Sequence, residues 1–253
     1  MSEVVLVLAH AADTGAASVA ASLHSMLRED CACAAVEVWT VRPAMLSQAI
    51  WSHHVDDHGH AETQLTLPGR PALLSSQVRA VFNRIQYLPM PSFLHGSAQD
   101  RDYAAAEFQA LMQSWLASFG DRVLHSLRNQ PLLSPQLPML RWAQAAAQHG
   151  LPVAQRDAGM PALEWDATVL VAGMQTTGVL AGRFGRACVA ASQSLGFSVL
   201  EFRFVRREQA FVLVGVSPYP ALTDLEDIDA VATCISDLVH SQAAVELERD
   251  GVA

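Results

Sequence analysis

Residues 53–60 read His-His-Val-Asp-Asp-His-Gly-His, so His53, His54, Asp56, Asp57, His58 and His60 place six imidazole or carboxylate donors within eight positions. Such a donor set suits a transition metal. Catalytic metal ligands, however, are drawn from rigid elements with supporting hydrogen bonds. This run lies beside Gly59 in a stretch, 52–71, whose polarity and Pro/Gly content predict a loop. A solvated loop is the preferred reading, and a metal-dependent enzyme built on the six residues is the alternative. The four cysteines, Cys31, Cys33, Cys188 and Cys234, are too scattered for a disulfide framework, and Cys31-x-Cys33 lacks the spacing of a zinc knuckle or redox pair. They read as buried or incidental thiols. Ser217 and Cys188 have no histidine beside them in sequence to activate a nucleophile.

All 16 basic residues are arginine. The absence of lysine excludes a standard P-loop and a pyridoxal Schiff base. GC-biased coding would give the same composition. At a catalytic position the exchange would still matter, because a guanidinium is neither compact nor titratable. A formal net charge of −9 with singly scattered arginines argues against nucleic acid and anionic membrane surfaces as partners. Met1-Ser2-Glu3 followed by a short apolar run has no basic flank of a secretory signal, which predicts a cytoplasmic protein.

The elements that must position these groups follow from periodicity. Val4 to Leu8 is a continuous apolar run, the pattern of a strand buried on both faces. A helical pattern to Leu27 and a strand at Val36 to Trp39 complete an opening βαβ unit, without the G-x-G-x-x-G fingerprint. Further strands are expected at Val78 to Arg84, Ala167 to Ala172 and Gly178 to Ala181, and a hairpin at Ser198 to Val205 and Ala210 to Val216. Helices are expected at Arg101 to Ser118, Leu140 to His149, Gly185 to Leu195 and Asp227 to His240. Trp51, Phe93, Leu94, Trp115, Leu116 and Phe119 are core candidates, with partner contact as the other use of such side chains.

Three stretches in this order carry a resemblance. They are Val78 to Arg84 leading through Phe108 to Leu116 and Leu124 to Pro131; Pro138 to Val153, ending Gly-Leu-Pro-Val; and Gly185 to Gly196 with the hairpin running to Val214-Gly-Val-Ser-Pro-Tyr-Pro220. Together they resemble the ATP-grasp superfamily, in the peptide and amino-acid ligase branch that includes ribosomal S6 glutamate ligases and macrocycle-forming peptide ligases. The resemblance implies an α/β chain with a Rossmann-like pre-ATP-grasp domain at 1–130, an α+β ATP-grasp core at 131–245 lacking most of the lid, and a flexible tail at 246–253. The family activates a carboxylate as an acyl phosphate, which needs phosphate-binding cations, carboxylate-held magnesium and a lid.

Measured against that family pattern, the matching positions are degenerate. Met139 stands where a phosphate-contacting lysine is expected, and Gly215 and Ser217 replace the glutamate and asparagine of the metal-binding E-x-N-P run. The partnering acid would fall at Phe202. Glu201, one residue away, would point to the opposite face unless the hairpin register shifts. The 31 residues from Ala154 to Phe184 are too few for a complete lid. The resemblance therefore implies a non-catalytic binding or assembly protein without a cofactor. Its expected partners are a second copy or another protein, with a peptide as a possible ligand. The alternative is an ATP-dependent carboxylate-amine ligase with an unusual site.

Overall fold

The buried apolar run Val4–Leu8 (β1) lies at the middle of a parallel sheet in the order β2-β1-β6, flanked by Glu37–Val41 (β2) and Val78–Asn83 (β6). The computed structural model describes residues 2–31, 33–88, 95–124, 137–154 and 164–250. All five residues of β1 are buried, as a central parallel strand requires. Between β1 and β2 runs helix α1 (Thr14–Glu29), whose N-cap Asp13 accepts the backbone N–H of Ala16 at 2.9 Å.

The chain forms two units, residues 1–134 with 235–253, and residues 135–234. In the first, a short helix α2 (Pro43–Ser47) precedes an antiparallel sheet of Ile50–Val55 (β3), Ala61–Thr66 (β4) and Ala72–Leu74 (β5). Half of the polar loop expected at 52–71 is thus strand, in β3 and β4. Its polarity has a physical source in the alternation of a half-solvated antiparallel sheet: Thr63 and Leu65 turn inward while Glu62 and Gln64 face water. Only 56–60 form the connecting turn, where Gly59 adopts φ +81°. Helix α3 (Ala98–Ser118) closes this core with Met112, Trp115 and Leu116. Trp115 meets Trp51 edge-on at 5.1 Å and Phe119 at 5.3 Å. Phe93 and Leu94 lie outside the described residues, as do 125–131 of the first resembling stretch.

The second unit is a four-stranded antiparallel sheet in the order β10-β9-β7-β8, built from Ala167–Ala172 (β7), Gln175–Thr177 (β8), Val199–Arg207 (β9) and Ala210–Ser217 (β10). The strand expected at 178–181 is displaced to β8, because Gly178 (φ +98°) turns the chain and helix α5 (Ala181–Leu195) starts at once. Helices α4 (Met139–Gln148) and α5 cover one sheet face through Trp142, Ala146, Phe184, Cys188 and Leu195, against Val169, Val171, Phe202 and Phe204. Gly196 ends α5 in the left-handed conformation at φ +77°. The last helix, α6 (Leu225–Asp250), begins in the second unit and ends in the first, running on into the stretch expected to be a tail. No described helix is long and apolar enough to cross a membrane.

Candidate functional site on the C-terminal hairpin

The sheet face opposite α4 and α5 carries the polar groups of the second unit. Strand alternation sends Phe202 and Phe204 into the core and Glu201 and Arg203 to this other face. An unbroken ladder from Leu213↔Phe204 would set Gly215 opposite Phe202, the register expected from the sequence. The hairpin departs from it. A β-bulge between Leu213 and Gly215 leaves Val214 without a ladder partner, so that Gly215 faces Arg203, Val216 faces Phe202 and Ser217 faces Glu201. Residues directly opposite in an antiparallel ladder share a face. Glu201 and Ser217 therefore stand side by side, while Phe202 is fully buried in the core.

Glu201 is not a free carboxylate. Its Oε1 accepts the Nε–H of Arg203 at 2.5 Å, and its side chain retains 10% of its exposure against 26% for Arg203. The guanidinium also lies over the Trp165 ring, 4.0 Å from its centroid. Gly215, across the ladder from Arg203, leaves open space where a side chain would project. Ser217 is 7% exposed and is used locally: its hydroxyl donates to the Tyr219 carbonyl and accepts the Tyr219 N–H, both at 3.2 Å. On the other flank of β9, Thr168 stands opposite Arg203 and Leu170 opposite Glu201. Further along, Thr177 donates a short hydrogen bond to Asp227.

Met139, the first residue of α4, is 41% exposed and offers only a thioether. Cys188 is fully buried in the core, and burial pushes its thiol up to about 12, so it holds no reactive thiolate.

The six donors of residues 53–60 do not converge. His53 and His54 are neighbours on β3 and point to opposite faces, paired with Thr63 and Glu62. Both ring nitrogens of His53 are engaged, Nδ1 with Thr63 Oγ1 at 2.7 Å and Nε2 with Ser114 Oγ at 2.8 Å. Burial, with the neighbouring His54, holds the His53 pKa below its usual range. Asp56 spends Oδ1 on the backbone N–H groups of His58 and His60, which folds the turn. Those hydrogen bonds, the His60 backbone bond above all, hold its carboxyl below the usual range. The spacing that suggested a metal site is the spacing of a hairpin.

Arg203 was missed at the sequence level. Its signal was present, because a cation two residues from Glu201 on a strand shares its face.

No protein-family model matches the chain, and no curated protein sequence matches it. Solved structures do. The macrocyclase MdnC of Microcystis aeruginosa, bound with precursor peptide MdnA, superposes with a TM-score of 0.68 at 11% identity, covering 92% of this chain and 99% of that one. The macrocyclase MdnB of the same organism gives 0.64 at 16% identity over 92% and 99%. An ATP-grasp ligase of Chryseobacterium gregarium, in complex with ADP and a leader and core peptide, gives 0.64 at 11% identity over 96% and 97%. The chain thus shares the fold of these ATP-grasp proteins.

Proposed function

We propose that this protein is a non-catalytic, ATP-grasp-like binding or assembly protein acting in a peptide- or amino-acid-modifying pathway. The observation that carries the reading is the Arg203–Glu201 pair. On the hairpin that the resemblance matches to the family's metal-binding run, the bulge sets one carboxylate, Glu201, opposite Ser217, and this chain neutralises it with its own guanidinium. Gly215 supplies no ligand, and the Ser217 hydroxyl is committed to the turn at Tyr219. A divalent ion would have to displace an internal cation to reach a single acid, and a carboxylate-held ion needs several oxygen donors. Met139 in the lysine position and the short 154–184 segment, which lacks the length for a lid, support the same reading.

A partner would meet the apolar side chains that the second unit leaves exposed. Apolar side chains of the second unit stand exposed, Met174 at 73%, Val179 at 86% and Leu225 at 78%. We infer self-association or a heteromer with another protein, and a peptide ligand by analogy with structural neighbours solved with precursor peptides. Sedimentation velocity tests the assembly part of the reading. A dimer, or a complex with a copurifying protein, is expected. A monomer across the micromolar range that also hydrolyses ATP in the presence of magnesium would favour the ligase alternative.

A further inference from the structure

We propose that Asp30, Cys33 and His240 form a zinc-binding site that ties the C-terminal helix to the turn following α1, inside the first unit. Among the described residues this is the one group of three metal-ligating side chains whose donor atoms converge, all lying within 4.8 Å of one another. Asp30 caps the C-terminus of α1, and the Cys33 N–H donates to the Asp30 carbonyl at 3.0 Å. That i, i+3 turn brings the carboxylate and the sulfur to one side. His240 arrives from α6, 210 residues away in sequence.

The hydrogen bonds of His240 hold its ring in an orientation that suits a ligand. Its Nδ1 lies 2.7 Å from the carbonyl oxygen of Ser236. A carbonyl can only accept, so Nδ1 carries a proton, and the Nε2 lone pair is the ring's remaining ligand site. That lone pair faces Asp30 Oδ2 at 2.5 Å. In the metal-free protein Nε2 is protonated and donates to the Asp30 carboxylate, and a metal ion would take that proton's place. Fixing a ligand histidine by an Nδ1–H bond to a backbone carbonyl is the usual support of a zinc-binding imidazole.

Thiolate, imidazole and carboxylate together select zinc over magnesium or calcium, which take oxygen donors. Cys33 is 3% exposed, whereas the His240 and Asp30 side chains keep 42% and 37% of their exposure. The sulfur is thus shielded while the other two ligands border solvent, leaving an entry path and room for water as fourth ligand. Zinc bonds of about 2.0–2.3 Å place tetrahedral donors roughly 3.3–3.8 Å apart. The Nε2–Oδ2 pair opens to that spacing and the sulfur closes to it. Binding releases the Cys33 thiol proton and the proton shared by His240 and Asp30, so charge and atoms balance.

The test uses the full chain without a histidine tag, stripped by chelator and titrated with Co²⁺ as spectroscopic probe. One equivalent is expected to give a thiolate-to-cobalt charge-transfer band that Zn²⁺ then abolishes, with a rise in melting temperature on adding zinc. Cys33→Ser should lose the band, Cys31→Ser should keep it, and His240→Ala should weaken binding at least about tenfold. His240 is half-exposed, so His240→Ala keeps the fold and decides the matter if Cys33→Ser does not fold. A wild-type protein without the band, a band that follows Cys31 instead of Cys33, or His240→Ala binding as wild type would overturn the proposal.

Discussion

Replacing Arg203 with Met removes the guanidinium while keeping an unbranched side chain on β9. Glu201 is left as a carboxylate at 10% exposure with its cation gone. Breaking a buried pair by removing one partner costs about 3–5 kcal/mol, because the remaining charge is uncompensated. Arg203 keeps 26% of its side-chain exposure, so water partly replaces it and the electrostatic loss falls to about 2 kcal/mol. Losing the guanidinium from the Trp165 face adds about 0.5–1 kcal/mol. The expected sum is about 3 kcal/mol, roughly a hundredfold in the unfolding equilibrium of the second unit. A screened surface pair would cost only about 0.2–1 kcal/mol. The assay is a double-mutant cycle with Glu201→Gln, read by urea unfolding and by native-state hydrogen exchange of the β9 and β10 amides. Arg203→Met with Glu201→Gln should recover about 2 kcal/mol of the single-mutant loss, since the stranded charge is gone. A single mutant within about 0.5 kcal/mol of wild type, or a double mutant no better than the single, refutes the assignment of a shielded, mutually dependent pair.

Phe202→Ala should destabilise the second unit by about 3–5 kcal/mol, while Ser217→Ala should change its stability by about 1 kcal/mol or less. Equal effects in denaturant titrations would place Phe202 on the polar face and remove the bulge-shifted register. For His53 the folded-state pKa is lowered, chiefly by burial, so the unfolded chain binds the proton more readily. Its contribution is present in full above the unfolded pKa of about 6.5 and is lost as pH falls from there through the folded value. Between about pH 7 and pH 5 wild type should therefore lose more stability than His53→Gln, and parallel pH profiles would show that His53 is not held neutral.

The apolar patterns of β1, β6 and β7 and the amphipathic helices α4 and α5 were readable because buried elements carry strong periodicity. The β3–β4 hairpin was not, because its solvated face carries His54 and Glu62 and looks like loop composition. The polar face of the C-terminal hairpin turned on one residue. Val212-Leu213-Val214 is an apolar run that hides which residue bulges, and the adjoining Gly215 is the local cue. A continuous ladder then assigned Phe202 to the polar face and turned Glu201 away. The contact of Asp30 and Cys33 with His240 spans nearly the whole chain, and no local pattern announces it.

On the function proposed above, this ATP-grasp-like fold binds no nucleotide. Isothermal titration calorimetry of the purified protein with ATP and excess magnesium decides the point. No saturable heat is expected up to several millimolar ATP, about the weakest range in which a working site would operate. Saturable, magnesium-dependent binding at one site per chain would contradict it and return Glu201 to the role of a metal ligand.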